Sequence, residues 1–550
     1  MKKQFTCLIA LCAITTLLHA QDTGMRVYEI FQNNCITCHN NADPTAGLDL
    51  EGSGATIEEK ALEVYGNIFN VTPANSYAAG QGYKYIAPGR PDRSFLFRKV
   101  NNGLEPTIAL HANAGANMPN DLPPISEVER ELIRQWILFG APTSGEVIDE
   151  GMLEAFYDGS GDVSFTEPPA GPDPSEGFQV KMGPFYLAPA GQPGSELEYF
   201  QKYALNLLED VEVNRIEILI SPYSHHFIIY DWDSPQAANT VPDGLRVNPY
   251  HNQISLVAAV QEEGDLKLPE GTAFRWENDL VLDLNSHYIN YSASTVYQAE
   301  AYLNIYTQPT GTAAQEMHTR LLVNDDILIP NNGDPISFTH NYTPNLGEVY
   351  MWAFTGHTHK YGTGYQAFYR NNFVEGDLFY DGSCAQGIPG CVSPFFDYQH
   401  IPWRFFEPLQ PVTMNTANGI THKGFWVNDG PQNVWFGPTS DDEMMVAIMM
   451  FTMDSTGVVI SKTEEPVSGP GLSLRVQPNP MQESVLIALP ENLGAVQVQL
   501  FDLLGRECLR LNEVQGQMIE LQRGELQAGL YILRIEDAAG KWGTTKLRIE

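Results

Sequence analysis

From residue 176 to residue 465 the chain is a succession of short runs rich in β-branched and aromatic residues, which limits the fold more than any other feature. VNRIEILI, HFIIYDW, DLVLDLN, AEAYLNIYTQ and MMVAIMMFTM are each about strand length, and Asn, Gly and Pro turns separate them. No long helical periodicity competes with them. The segment predicts an all-β core. A chain of 550 residues, 43% hydrophobic and 11% aromatic, holds enough apolar matter for several such cores, and wholesale disorder is excluded.

What flanks this core is organised differently. Lys2 and Lys3 precede an almost unbroken apolar run from Phe5 to Leu18, and Ala20 offers a small residue for cleavage. Residues 1–20 thus read as a signal peptide, too short for a comfortable membrane span. With 31 Lys+Arg against 67 Asp+Glu, the net charge is −36. A surface that acidic repels phosphate backbones, so no nucleic-acid partner is expected. Cys384 and Cys391, in the Gly/Pro-rich loop GSCAQGIPGCVSP, are expected to pair in an oxidising compartment, and Cys508 has no assigned role.

Residues 22–145 contain FQNNCITCHN, a C-x-x-C-H run made of Cys35, Cys38 and His39. Two thioethers anchor a haem covalently and the adjacent His ligates its iron, which is why these positions must be contiguous. MRVYEIFQNNC reads as a helix leading into the motif. Ser126 and Glu129 form a capping box that opens a second helix through Phe139. Between them, Met118 of ANMPND is the expected sixth ligand, with His111 as its rival. The whole segment resembles a class I cytochrome c domain, which implies an α-helical fold and one covalently bound haem c. Residues 146–175, rich in Pro, Gly and acid, read as a linker.

Three histidine groups sit on or beside the predicted strands: His225–His226 in SPYSHHFIIYDW, His287 in VLDLNSHYIN, and His357 with His359 in WAFTGHTHKYGTG. Side chains at i and i+2 share a face of a strand, so His357 and His359 are able to reach one metal. Adjacent His225 and His226 serve one metal only at a strand end or bulge. Imidazole suits zinc and copper alike. His251, His318, His340, His400 and His422 lack such a pattern and read as ordinary core or surface residues.

The order HH, strand His–Tyr, H-x-H, then GPTSDDEM resembles the copper type II, ascorbate-dependent monooxygenases, which include the peptidylglycine α-hydroxylating and dopamine β-monooxygenases. That resemblance implies two jelly-roll-like β-sandwich halves, 176–310 and 311–465, with two copper ions facing each other across a solvent-filled cleft. His225, His226 and His287 would hold the electron-transfer copper. His357, His359 and Met444 would hold the copper that meets dioxygen, with Met445 as the neighbouring rival. A thioether favours Cu(I) and argues against zinc. The implied activity is hydroxylation of a C–H bond of a small-molecule or peptide substrate with dioxygen. Electrons would come from ascorbate or a redox protein, and the fused haem is a candidate relay. The competing readings are a surface copper-binding electron carrier without turnover and a zinc-dependent hydrolase.

Residues 470–550 resemble the C-terminal sorting domain of the type IX secretion system, through the PNP opening, the FDLLGRE turn, the GLYILRI strand and the Lys-bearing last strand. The resemblance implies recognition by that machinery, then secretion or attachment to the cell surface. The expected architecture is an α-helical cytochrome c domain, an all-β double jelly-roll-like sandwich core, and a small C-terminal β-sandwich.

Overall fold

The computed structural model describes residues 22–549, apart from 105–107, 222, 233, 248–253, 261–263, 383–395, 397, 399–401, 438–441, 460–473, 478, 490–493, 503–506, 517, 525, 528 and 538–541. The signal peptide and the Cys384–Cys391 pair lie outside the described residues.

The first half of the core is built from β1 (Gly177–Leu187), β2 (Glu196–Ala204), β3 (Val211–Leu219), β4 (Ser224–Trp232), β5 (Ile254–Val260), β6 (Val281–Ile289) and β7 (Val296–Pro309). β3, β7 and β1 belong to a seven-stranded sheet, and β2, β6, β4 and β5 lie side by side in a five-stranded one. The two sheets close over one core, in which Val180, Val213, Ile216 and Leu303 meet Phe227, Ile229, Leu282 and Leu284. Phe227 and Ile229, and Leu282 and Leu284, alternate along their strands, as a sandwich with one buried face per sheet requires, while a register shift in the β3–β7 ladder separates Val213 from Ile216 by three residues.

The second half repeats the plan with β8 (His318–Val323), β9 (Ile336–Tyr342), β10 (Gly347–His357), β11 (Gly362–Asn371), β12 (Val374–Asp381), β13 (Arg404–Met414), β14 (Gly419–Trp426) and β15 (Val446–Thr452). One sheet runs β8-β15-β10-β13 and the other β9-β14-β11-β12. The halves are joined: the first core also takes in Trp352, Ala353, Leu409 and Met450 of the second half. Thr319 Oγ1 on β8 donates to Val257 O on β5 at 3.2 Å, so the two histidine-bearing sheets meet edge to edge.

The expected α-helical domain at the N-terminus is overturned. Of the described residues 47% are strand and 16% helix, and their seven α-helices are all short. The longest in residues 22–155 are α1 (Thr23–Asn34), α2 (Ile57–Ile68) and α3 (Glu127–Leu138), of 12 residues each. That length is marginal for a helix without tertiary support. The capping box at Ser126 and Glu129 forms and α1 packs on α3, but loops make up much of the segment. Its core is completed by Tyr186 and Val296 from the β-sandwich. Residues 146–175 are also partly ordered, with a helix at Glu150–Ala155 and a strand at Gly161–Val163 that pairs with β7.

Candidate metal centre

β4 and β6 are antiparallel neighbours, and His226 faces His287 directly across the ladder. The register slips there, because Tyr288 pairs with Ser224 and leaves His225 as the extra residue of a bulge. A bulge releases consecutive residues from strict alternation. The side chain of His225 lies outside the described residues. From the other half, β10 ends at His357 and the chain turns away through Thr358 to His359.

The four rings converge. Ring centroids are 5.4 Å apart for His226 and His287, 6.5 Å for His226 and His357, and 5.2 Å for His357 and His359. The resemblance implied two sets facing each other across a cleft; the structure sets them side by side where the two sheets meet. Burial, then the neighbouring His359 and His226, holds the His357 imidazole well below its ordinary value. Burial likewise holds His359 down to about 4, against the opposing pull of its hydrogen bond to the Asp442 carbonyl. Imidazoles kept neutral in this way are in the protonation state that binds metal.

Carboxylates and amides orient these rings. His226 Nε2 lies 3.2 Å from Glu198 Oε1 and 3.2 Å from Asn285 Oδ1, and His287 Nε2 lies 3.0 Å from Glu196 Oε1. Asn285 Nδ2 donates to the same Glu198 oxygen at 3.0 Å. Burial pushes the Glu198 carboxyl up, but the hydrogen bond with His226 and the nearby imidazoles outweigh it and hold that group below the usual carboxylate range. On the other side, His359 Nδ1 lies 2.9 Å from the Asp442 carbonyl, which makes Nδ1 the protonated nitrogen and turns Nε2 outward.

Glu443 holds the second set in place. This buried carboxylate accepts from His359 N at 2.8 Å, Tyr361 N at 2.6 Å, Trp426 Nε1 at 2.9 Å and Met444 N at 3.3 Å. It thereby ties the loop bearing His359 to the chain bearing Met444. Burial raises its pKa to about 6 despite those four donors. Met444 is half-buried and lies two residues before Val446, the ladder partner of His357. Met445 instead is buried in the second core, its sulfur accepting from Asn324 Nδ2 at 3.3 Å.

Glu196, Glu198 and Glu443 were not singled out in the sequence. The E-x-E spacing of Glu196 and Glu198 on a strand was the available signal for the first two. Among the described residues, no group of three or more His, Cys, Asp and Glu side chains is set to hold a metal ion as it stands. The imidazoles are assembled and oriented, with two of them turned onto carboxylates.

In the N-terminal segment, the Cys35 thiol is half-buried and its pKa is pushed up to about 12 by burial, while Cys38 is exposed. His39 Nδ1 lies 3.2 Å from Leu48 O, an arrangement that fixes the ring and presents Nε2. Met118 is half-buried on a loop pinned by its N–H to Lys99 O at 2.8 Å. His111 is exposed, stacked on Tyr77, with Nδ1 accepting from Asn113 N at 3.2 Å.

Residues 474–549 form a separate unit, a three-stranded sheet on a four-stranded one around Val485, Ile487, Val498, Leu500, Leu533 and Leu547. Residues 475–550 match the secretion system C-terminal sorting domain family. This is a type IX sorting domain. A chain with such a sorting domain is exported and attached to the cell surface by the type IX secretion machinery. No curated protein matches the chain. Among solved structures, a protein with an immunoglobulin-like β-sandwich fold from Bacteroides vulgatus is similar at 17% identity, over 14% of this chain and 94% of that one, with a TM-score of 0.12. The adhesin domain of Epf from Streptococcus pyogenes is similar at 9% identity, over 45% and 79%, with a TM-score of 0.13. The STIV MCP is similar at 9% identity, over 50% and 91%, with a TM-score of 0.19.

Proposed function

We propose that the β core is a copper-dependent monooxygenase of the cell surface that hydroxylates a C–H bond of a small-molecule or peptide substrate. One observation carries the reading: His226 and His287 from the first half meet His357 and His359 from the second, with ring centroids 5.2–6.5 Å apart between neighbours. Histidines brought from two halves to one buried place are more than stability alone requires, because buried imidazoles without a role are a liability.

The residues fit copper. His226 and His287 would bind through Nδ1 while their Nε2–H groups stay on Glu198 and Glu196, and His359 would bind through Nε2. Met444 is the accessible thioether, since Met445 is committed to the core. When bound, copper supplies one-electron chemistry and activation of dioxygen, and a thioether ligand favours its reduced state. The protein's own part is to fix the tautomers, exclude water from the rings and hold His359 to Met444 through Glu443.

The N-terminal segment would carry a haem c on Cys35 and Cys38, with His39 as one axial ligand and Met118 as the other. The segment docks on the histidine-bearing sheet, where Gln201 Nε2 on β2 donates to Gly89 O at 3.3 Å. With the segment docked on the core, the haem would serve as a one-electron relay, beside or in place of ascorbate.

The test is metal content of the purified mature chain, followed by oxygen uptake with ascorbate. Two copper ions and one iron per chain, with uptake that rises when substrate is supplied, are expected. Zinc that survives copper reconstitution would overturn the proposal.

A further inference from the structure

His340 and His422, read as ordinary residues from sequence, are joined to a buried tyrosine in a single hydrogen-bonded line. His340 on β9 is the ladder partner of His422 on β14. His340 Nδ1 lies 2.9 Å from His422 Nε2, and the hydroxyl of Tyr365 on β11 lies 2.6 Å from His422 Nδ1. Tyr365 and His422 are fully buried, and His340 is half-exposed at the surface end.

The polarity of this line is set by the phenol. Tyr365 has one hydroxyl proton, and His422 Nδ1 is its hydrogen-bond partner among the described residues. The phenol therefore donates to Nδ1, which makes Nε2 the protonated nitrogen of His422 and Nδ1 of His340 its acceptor. The remaining proton of His340 is on Nε2, at the half-exposed end. Every hydrogen points outward, as a proton wire from core to surface requires.

The inner end of the wire is one residue along β10 from the candidate metal centre, on the face of the strand opposite to the His357 side chain. The Tyr365 ring occupies the space over Gly356, where an added Cβ would come within 2.4 Å of it. Gly356 is the residue immediately before His357.

We propose that Tyr365, His422 and His340 form a redox relay in which Tyr365 loses an electron to a one-electron oxidant at the histidine centre as its proton leaves for the surface. The balance closes in one concerted shift. The phenol O–H bond breaks, and its proton forms a bond to His422 Nδ1. His422 gives its Nε2 proton to His340 Nδ1, and His340 releases its Nε2 proton to water. The tyrosine is left as a neutral radical and the oxidant is reduced by one electron. The surroundings suit this. Burial, then the neighbouring His340, holds the His422 imidazole down to about 3, so it is a neutral acceptor. Burial and then Tyr380 keep the Tyr365 phenol protonated, and Asp325 is the charged group that faces His340. The relay gives the centre an outlet for an oxidising equivalent that finds no substrate.

This rests on the metal-centre reading for its natural oxidant, so the test supplies another. The full-length mature chain, with copper removed by chelation and any haem first oxidised to the ferric state, is oxidised by a photogenerated ruthenium(III) complex and frozen for electron paramagnetic resonance. A persistent tyrosyl signal with a coupling that exchanges in heavy water is expected, and it should be lost in Tyr365→Phe. His340→Gln, at the half-exposed end, should leave the fold intact by circular dichroism and slow radical formation about tenfold, the effect of a lost proton acceptor. A persistent signal that survives Tyr365→Phe unchanged, or a rate unmoved by His340→Gln, overturns the relay. Copper content fails or succeeds independently of both.

Discussion

Glu443 shows how much one buried side chain sets in the candidate centre. Four N–H donors end on its two oxygens, two of them in fully buried bonds. In Glu443→Gln one oxygen becomes an NH2 that faces donors instead of accepting from them. A buried unpaired donor costs about 1–3 kcal/mol, so the unfolding free energy from urea titration should fall by that much at neutral pH, and copper affinity should fall with it as His359 loosens. An unchanged free energy would remove Glu443 from this role. Its pKa is raised to about 6 from 4.5, so the folded state favours the neutral acid. Stability from this group is present below 4.5 and lost as pH rises through 6, a slope Glu443→Gln should lack. His422 acts in the opposite sense. Its pKa is lowered from 6.5 to about 3, so its contribution is present above 6.5 and lost as pH falls towards 3. Unfolding free energies from urea titration across that window should fall faster for the native chain than for His422→Gln, by up to about 1.4 kcal/mol per pH unit for the one proton concerned. Equal slopes would mean His422 is not held neutral by the fold.

Among elements, the docking of residues 22–155 on the β core depends on three glycines. Gly89, Gly140 and Gly244 have φ of +72°, +88° and +94°, and their backbones touch: an added Cβ on Gly244 would meet Gly140 N at 2.5 Å and Leu138 O at 2.6 Å. Gly244→Ala adds about 1–2 kcal/mol of left-handed strain and drives the two surfaces apart. Amide exchange in α1 and α3 should then quicken while β10, β14 and β15 keep their protection, and uniform protection would contradict this docking. The same contact marks what sequence shows and what it hides. Short strands, the capping box at Ser126 and the H-x-H spacing are local patterns, readable because period and neighbour chemistry encode them. The helices of the N-terminal segment were readable too, yet their support by Tyr186 and Val296 was not, since nothing local announces a partner on a strand of another domain. For the same reason the sequence suggested two separated histidine sets. Packing between the halves, β5 against β8 among it, brings His226 to His357. The line from Tyr365 to His340 crosses three strands and has no sequence spacing to announce it.

For the molecule as a whole, the sorting domain and the rest of the chain are held by different forces. Its buried residues, from Leu474 to Ile549, form a cluster of their own and share no member with the cores of the two sandwich halves. Among the described residues, Arg548 Nη1 donates to the core's Tyr223 OH at 3.2 Å, with the guanidinium carbon 5.6 Å from that ring. One such contact at a partly exposed site is worth about 1 kcal/mol, too little to couple two cores of this size into one unfolding unit. Calorimetry of the intact chain should therefore show a separate transition for residues 474–549. A chain ending at residue 459 should lose that transition alone and keep the metal content measured for the intact chain. A unit this small buries only about 60% of its unfolded surface and is marginal by size, so its transition should be the first to go on heating. The same truncation should abolish delivery to the cell surface, because the sorting domain is the part that the secretion machinery recognises. A single merged transition, or loss of metal on truncation, would show that the domain braces the centre through Tyr223, which lies two residues before the bulge at His225.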